Sequence, residues 1–262
     1  MSHAPSITTP SSSTSAGLSP PALITPIFDE ALARMQYLAK RGAACGLVLG
    51  PAGCGKSLLL TRFAAQQQRL GAAVARVAPS GMEAREFWLE IAIQWGCGIS
   101  PQSETVTLAR RACDRLSELA YEQTPAILLL DDAQLLGSAS RQALQRLLGQ
   151  PQPLLVIAAC RENQLLQLPE RLLEQAELRI ELDSWSEEET ASFLHQGKAA
   201  SGSRSIEFTP PAITRLHDLA AGIPRQVEQL AELVRLISAS SDSPTADETI
   251  VQAAYQELLP PR

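Results

Sequence analysis

The fold class is decided by one stretch of sequence, Cys45-Gly46-Leu47-Val48-Leu49-Gly50-Pro51-Ala52-Gly53-Cys54-Gly55-Lys56-Ser57. Its apolar start predicts a strand from Cys45 to Leu49, and the apolar-rich run from Leu58 to about Gln68 predicts a helix. The residues from Gly50 to Ser57 match the pattern G-x-x-x-x-G-K-[ST] at every fixed position. A strand, a glycine-rich loop and a helix in this order predict a phosphate-binding loop, because backbone N–H groups and the positive helix end point at the anion.

The residues of this loop have expected roles in binding a nucleotide. The backbone from Gly50 to Ser57 is expected to wrap around the phosphates, and Lys56 is expected to reach the β and γ phosphates. The Ser57 hydroxyl is expected to bind Mg²⁺. The alternative is a chance glycine-rich turn that binds no anion.

A second strand carries the acidic residues that such a site needs. Ala126 to Leu130 is an uninterrupted apolar run, which predicts a strand buried on both faces, and Asp131 and Asp132 follow it directly. The C-terminal ends of parallel strands are where open α/β sheets bind ligands. We expect Asp131 to bind Mg²⁺ and Asp132 to orient or deprotonate the attacking water. The alternative is an ordinary acidic turn after a strand.

The rest of the chain alternates strands with helices up to Asp183 and is helical after it. Further strands are predicted at 72–77, 154–159 and 178–182, with helices at 27–38, 83–95, 105–121, 138–148 and 165–175. This alternation predicts an α/β fold, a P-loop NTPase parallel sheet flanked by helices. Helical patterns at 187–195, 211–221, 224–237 and 246–258 predict a small all-α domain. We therefore expect a disordered Ser/Thr/Pro-rich tail at 1–22, a nucleotide-binding domain at 23–185 and a helical domain at 186–262.

Composition narrows the classes of function. The formal net charge of −6 over 262 residues counts against a surface built mainly to grip nucleic-acid phosphates. Five scattered cysteines without C-x-x-C spacing suggest neither a disulfide framework nor a zinc site. Cys54 precedes the predicted helix, and a helix N-terminus can lower the pKa of a thiol. No apolar run approaches the roughly 20 residues of a membrane span and the N-terminus lacks a signal-peptide pattern, so we expect a cytoplasmic protein.

Three further motifs carry a resemblance to a known family. They are Asp131-Asp132-Ala133-Gln134, Ser186-Glu187-Glu188-Glu189-Thr190 and Gly222-Ile223-Pro224-Arg225. They resemble the D-E-A-[HQ], S/T-x-E-E-T and G-x-P-R elements of AAA+ ATPases of the Orc/DEAH-type, ExeA-like group, over roughly residues 25–258. The resemblance implies ATP and Mg²⁺ as ligands and a helical lid at 186–262. It makes Arg225 the sensor-2 arginine, which reaches the phosphates from the lid, and Arg161 the sensor-1 residue. The alternatives are a solvated arginine at a helix start and a surface arginine after a strand.

The chain departs from that family pattern in two places. Asp132 stands where the family usually has a glutamate, and its carboxylate is one methylene shorter, so we expect either slow hydrolysis or the use of a bridging water. The family also implies an arginine finger from a neighbouring subunit, but Gln175 occupies the aligned position. Arg171 and Arg179 lie about one turn to either side and are the alternative fingers.

These observations lead to three hypotheses for function. The first is an ATPase that uses nucleotide-driven lid movement to remodel or regulate a protein partner, with a nucleotide-dependent homo-oligomer as its assembly. The second is a DNA-associated loader or transposition-type regulator, which the charge does not indicate. The third is a slow nucleotide-gated switch. Salt-sensitive DNA binding and turnover measurements separate them.

Overall fold

Five parallel strands form the central sheet. The structure, a computed structural model, describes residues 25–42, 44–196, 206–240 and 244–258, so the tail predicted at 1–22 lies outside the described residues. The strands are β1 (Ala44–Leu49), β2 (Ala73–Val77), β3 (Ala126–Leu130), β4 (Leu155–Cys160) and β5 (Ala176–Glu181). They pair in the order β2-β3-β4-β1-β5, with every neighbouring pair parallel. This confirms the predicted parallel sheet.

Helices cover both faces of this sheet. They are α1 (Pro26–Arg41), α2 (Lys56–Arg69), α3 (Ala84–Gln94), α4 (Thr105–Tyr121), α5 (Ser138–Leu148) and α6 (Glu170–Glu174). Helix α1 begins at a proline, and the Thr25 side chain before it accepts a hydrogen bond from the Phe28 N–H at 3.3 Å. Both features satisfy or remove N–H groups that a helix start leaves unpaired. The first turn of α1 is therefore capped, and Thr25, Ile27 and Phe28 line the same cavity as the loop from Ala52 to Ser57.

Alternate residues of the strands point into two separate cores. One core packs α1 and α2 against the sheet and contains Val74, Ile127 and Leu129. The other packs α3, α4 and α5 against the opposite face and contains Ala75 and Leu128. Because strand side chains alternate with a period of two, residues 76 and 131 point to the same face as α2. That alternation brings polar groups of two strands beside the phosphate loop.

The prediction of one continuous helix at 165–175 is wrong. A short 3-10 turn at Glu162–Gln167 and the five-residue helix α6 replace it, separated by Leu168 and Pro169. Proline lacks an N–H group and disfavours helical geometry in the residue before it. Leu168 is accordingly extended, with φ −70° and ψ 153°.

The C-terminal region is helical, as predicted. Its helices are α7 (Glu187–Gln196), α8 (Pro210–Ala220), α9 (Pro224–Ser240) and α10 (Glu248–Leu258). They share a third core of their own, which includes Leu216, Val227 and Val251. A parallel pair of two-residue strands, β6 (Glu207–Phe208) and β7 (Thr245–Ala246), adds to this region. Among the described residues, no helix combines the length and the apolar character needed to cross a membrane.

Candidate functional site

The phosphate loop lies between the C-terminal end of β1 and the start of α2, and it touches the C-terminal helices. Gly53 has φ +88°, and a Cβ atom there would lie 2.9 Å from Ile223 Cγ2 and 3.1 Å from Arg225 Cβ. The Arg225 N–H donates a hydrogen bond to the Gly53 carbonyl at 3.3 Å. Glycine is therefore required here both by the backbone angle and by the close approach of α9.

Lys56 is held inside the loop that precedes it. It is the first residue of α2 and is only 6% exposed. Its Nζ donates hydrogen bonds to the carbonyls of Gly50 at 2.8 Å and Pro51 at 2.7 Å. An ammonium group has three donors and a flexible stem. The lysine is thus placed at the helix N-terminus, where positive charge and free N–H groups attract an anion.

Ser57 and Asp131 are brought together, as the sequence predicts. The Ser57 Oγ donates a hydrogen bond of 3.0 Å to Asp131 Oδ1, although the two residues lie far apart in the chain. Asp131 follows β3 directly and is buried. A hydroxyl and a carboxylate are the hard oxygen donors that Mg²⁺ takes together with phosphate oxygens. The donor set therefore fits the predicted metal.

Arg76 is a site residue that the sequence analysis missed. It lies on β2, and its Nη2 is 2.7 Å from Asp131 Oδ2, while its Nη1 donates to Thr61 Oγ1 on α2. Both oxygens of the Asp131 carboxylate therefore have partners within the chain. The available signal was a single charge in the apolar strand Ala73–Val77. Only the strand order, which places β2 beside β3, turns that charge into a neighbour of Asp131.

Asp132 has an unusual backbone conformation. Its φ of 50° and ψ of 49° lie in the left-handed region, which only a few per cent of non-glycine residues adopt. Its Oδ1 accepts a hydrogen bond of 2.9 Å from Gln134 Nε2, and Gln134 is itself 5% exposed. The turn directs the half-buried carboxylate to the same cavity that the phosphate loop lines. Backbone strain of this kind is often concentrated at functional sites.

A cavity of about 270 Å³ joins the phosphate loop to the C-terminal helices. Its polar lining comprises the loop with Asp132, Arg161, Arg225 and Glu228. Its apolar lining comprises Ile27, Phe28, Leu182, Trp185, Phe193 and Pro224. The Trp185 and Phe193 rings have centroids 5.2 Å apart. A cleft that combines convergent polar groups with aromatic side chains suits a ligand that is part anion and part planar ring.

The two predicted sensor arginines both lie at this cavity. Arg225 is the second residue of α9, so its backbone binds the phosphate loop and its exposed side chain lines the cavity. Arg161 follows β4 directly and precedes a 3-10 turn, and its exposed side chain lines the same cavity. Near these arginines, the Trp185 N–H donates a hydrogen bond of 2.7 Å to the Gly222 carbonyl.

The finger candidates lie away from the cavity lining. Arg171 Nη2 donates to the Leu148 carbonyl at 3.0 Å and so caps the C-terminus of α5. Gln175 follows the last residue of α6 and is exposed. Arg179 is exposed on β5, an edge strand of the sheet. A finger role for any of them stays a prediction.

The pKa of the Cys54 thiol, in the phosphate loop, is shifted in the opposite direction to the one that a helix N-terminus would produce. Burial is the largest influence on Cys54 and raises the pKa of its thiol, although Lys56 acts in the opposite direction. A thiol with a raised pKa is protonated at neutral pH and is a poor nucleophile. All five cysteines are free thiols.

Comparison with known proteins finds a matching domain and a shared fold. A family profile described as "AAA domain" matches residues 39–168. The fold is similar to that of the Pyrobaculum aerophilum Cdc6p, with a TM-score of 0.70, 16% identity, and coverage of 91% of this chain and 70% of that chain. It is also similar to the Aeropyrum pernix ORC2 protein, solved as ADPNP-ADP complexes, with a TM-score of 0.65, 15% identity, and coverage of 87% of this chain and 67% of that chain.

The Aeropyrum pernix ORC1 protein, solved in complex with DNA, is a third similar structure. Its TM-score is 0.64 at 19% identity, and the alignment covers 91% of this chain and 66% of that chain. No curated protein sequence matches the chain. The family profile, the parallel sheet and the phosphate loop agree with the resemblance drawn from the motifs. Residues 39–168 therefore match an AAA domain, and the chain has the P-loop fold of the Orc/Cdc6 proteins.

Proposed function

We propose that this protein is an ATP-binding and ATP-hydrolysing AAA+ ATPase in which nucleotide-driven movement of a lid, residues 186–262, remodels or regulates a partner. One observation carries the proposal. A single cavity is lined by the phosphate loop and Asp132 of the sheet domain and by Arg225 of the C-terminal helices. A ligand bound there contacts both parts, so a change in the ligand changes the free energy of their contact.

The phosphate loop supplies the binding energy for the anionic end of the nucleotide. Lys56 exchanges its hydrogen bonds with the Gly50 and Pro51 carbonyls for bonds to phosphate oxygens, without moving out of its buried position. The loop N–H groups and the start of α2 add positive potential at the same place. The aromatic lining residues, including Phe28 and Trp185, are suited to the adenine ring.

Ser57 and Asp131 are the residues that would hold Mg²⁺. When bound, the ion would neutralise charge on the phosphates and favour loss of the terminal phosphoryl group. The serine hydroxyl and the carboxylate already lie within 3.0 Å of each other, so their approach needs no rearrangement of the backbone.

Asp132 is the residue that orients or deprotonates the attacking water. Its left-handed backbone and the bond from Gln134 fix the carboxylate at the cavity wall. General base catalysis by a positioned carboxylate contributes roughly a hundredfold to ten-thousandfold to a rate. The aspartate is one methylene shorter than the usual glutamate, which supports a slow turnover.

Arg225 and Arg161 are the residues that respond to the terminal phosphate. Arg225 lies at the start of α9, whose backbone contacts Gly53, so attraction of its guanidinium to a phosphate pulls the lid towards the loop. Arg161 reaches the cavity from β4 on the sheet side. Loss of the terminal phosphate removes the negative charge that attracts both arginines, which weakens the attraction between the lid and the phosphate loop.

The test is magnesium-dependent ATP turnover by wild type, Lys56→Ala and Asp132→Asn, measured at several protein concentrations. We expect Lys56→Ala to lose nucleotide binding, and Asp132→Asn to keep binding while its turnover falls by roughly a hundredfold or more. Arg115→Gln is the matched control, because Arg115 pairs with Glu118 on α4 and with Glu122 just after it, at the opposite face. Binding without turnover in wild type would favour the nucleotide-gated switch instead.

A DNA-associated function is the second candidate. It is supported by the fold shared with an ORC1 protein solved in complex with DNA, and the formal net charge of −6 counts against it. Binding of duplex DNA in the presence of ATP, measured over a series of salt concentrations, tests it. An affinity that falls steeply as the salt concentration rises supports contact with the DNA phosphates. Absence of binding at low salt favours a protein partner instead.

A further inference from the structure

Arg76 is a cation built into the place where a metal ion is expected. Its side chain is 35% exposed, and that of its partner Asp131 is only 9% exposed. The guanidinium binds one oxygen of the Asp131 carboxylate while Ser57 binds the other. A buried carboxylate with both oxygens engaged by the chain is neutralised before any ligand arrives.

The position of Arg76 is fixed from both ends. The Gln94 side chain of α3 accepts from the Arg76 N–H at 2.8 Å and donates to the Arg76 carbonyl at 2.9 Å. At the other end, Thr61 accepts from the guanidinium and donates to the Ser57 carbonyl at 2.6 Å. Arg76 is therefore part of an ordered network that also contains the expected metal-binding residues.

Two cations at one carboxylate repel each other. Mg²⁺ at Ser57 and Asp131 would lie within a few ångströms of the Arg76 guanidinium, where like charges at low dielectric interact strongly. We propose that Arg76 is an internal counter-ion that competes with Mg²⁺ for Asp131, so that binding of the metal-nucleotide complex exchanges one cation for another. This inference rests on the proposed Mg²⁺-nucleotide site.

The exchange has consequences in both states of the site. Without metal, Arg76 cancels the charge of Asp131, so that the carboxylate repels the nucleotide phosphates less. With metal, the ion pair between Arg76 and Asp131 is broken, and part of the metal's binding energy is spent on breaking it. Arg76 therefore reduces the factor by which Mg²⁺ strengthens nucleotide binding. A residue that only orients Asp131 for the metal would increase that factor.

The experiment measures the dissociation constant of a fluorescent ATP analogue in EDTA and in saturating Mg²⁺, by anisotropy. For wild type and Arg76→Gln, we compare the ratio of the dissociation constant in EDTA to the dissociation constant in Mg²⁺, which is the factor by which Mg²⁺ strengthens binding. We expect the ratio to be greater in Arg76→Gln by roughly threefold to tenfold, the size expected when one part-exposed ion pair no longer has to be broken. Arg76→Lys, which keeps a cation at this position, is expected to return the ratio towards that of wild type.

Two further variants control the measurement. Thr61→Val removes one anchor of the guanidinium at nearly constant shape, so it should raise the ratio by a smaller factor even if Arg76→Gln folds poorly. Arg115→Gln loses the two ion pairs of Arg115 and should leave the ratio unchanged. An unchanged or smaller ratio in both Arg76→Gln and Thr61→Val overturns the competition and leaves the nucleotide site standing. If wild type binds no nucleotide with or without Mg²⁺, both proposals fail.

Discussion

Asp131 and Asp132 are adjacent in the chain, but their side chains have different surroundings. Asp131 is buried, with Ser57 and Arg76 bound to its two oxygens. Asp132 lies in a left-handed turn that directs its carboxylate to the cavity, and its side chain accepts a hydrogen bond from Gln134. The first environment suits a fixed charge that binds a cation, and the second suits a carboxylate that contacts water.

Replacement of Gln134 tests whether the carboxylate of Asp132 is positioned by its neighbour. Gln134→Leu removes the 2.9 Å hydrogen bond at a site that is 5% exposed, so Asp132 can rotate away from the cavity. We expect turnover to fall about tenfold, since a hydrogen bond to a charged group contributes on the order of 1.5 kcal/mol or more. Nucleotide affinity should stay within about twofold, because Gln134 does not line the cavity. Steady-state turnover and equilibrium binding are the measurements.

Gln134→His is the control for this change. Histidine keeps an N–H donor and is the other residue of the D-E-A-[HQ] pattern, so it should restore most of the turnover that leucine removes. Equal loss in the two variants, or a parallel loss of nucleotide affinity, would show that Gln134 acts through the stability of the turn and not through Asp132.

At this scale a residue's position can be predicted from the sequence where spacing along the chain determines it. Lys56 and Ser57 follow from the loop pattern, and Asp131 from its place after an apolar strand, because each depends only on neighbours in the chain. Arg76 could not be found in this way. Its contact with Asp131 requires that β2 pair with β3 and that both side chains point to the α2 face, which are properties of the folded sheet.

Among the elements, apolar periodicity placed the five strands of the sheet to within about two residues. It overextended one helix, because Leu165 to Gln175 has helical spacing while Pro169 divides it. It also gave no sign of β6 and β7, two-residue strands joined across α8 and α9. Pairs as short as these are stabilised by the surrounding helical core, which a local pattern does not contain.

The contact between the phosphate loop and α9 is testable with two glycines of equal φ. Gly53 and Gly71 both have φ +88°, so alanine at either position introduces left-handed strain of about 1–2 kcal/mol. Only at Gly53 does the added Cβ meet the start of α9, at 3.1 Å from Arg225 Cβ and 2.9 Å from Ile223 just before it, whereas nothing lies within 4 Å at Gly71. We expect Gly53→Ala to lower nucleotide affinity by at least about tenfold and Gly71→Ala to leave it unchanged.

Denaturant unfolding accompanies the binding measurement in both variants. Gly71→Ala reports the cost of the left-handed alanine alone, and the additional loss in Gly53→Ala reports the steric effect of α9. Equal nucleotide affinities in the two variants would mean that the loop tolerates displacement from α9 and that their contact does not contribute to the site.

Over the whole molecule, the cavity lies where two independently packed parts meet. The sheet has a core on each face, and the C-terminal helices have a third core, so each part can keep its packing while their relative position changes. Backbone hydrogen bonds beside the cavity join Arg225 to Gly53 and Trp185 to Gly222. The lid movement proposed above would change these contacts and so alter the site without unfolding either part.

The proposed lid movement can be followed by the intrinsic fluorescence of one tryptophan. Trp88 of α3 and Trp95, which follows α3, are buried in the core, whereas Trp185 packs against Phe193 at the cavity. We expect a non-hydrolysable ATP analogue with Mg²⁺ to change the emission more than ADP does, because only the triphosphate draws Arg225 and α9 towards the loop. Arg225→Ala should bind both nucleotides and give equal changes, and Trp185→Phe should abolish the signal. A larger response to the triphosphate that persists in Arg225→Ala would show that this arginine does not couple the terminal phosphate to the lid.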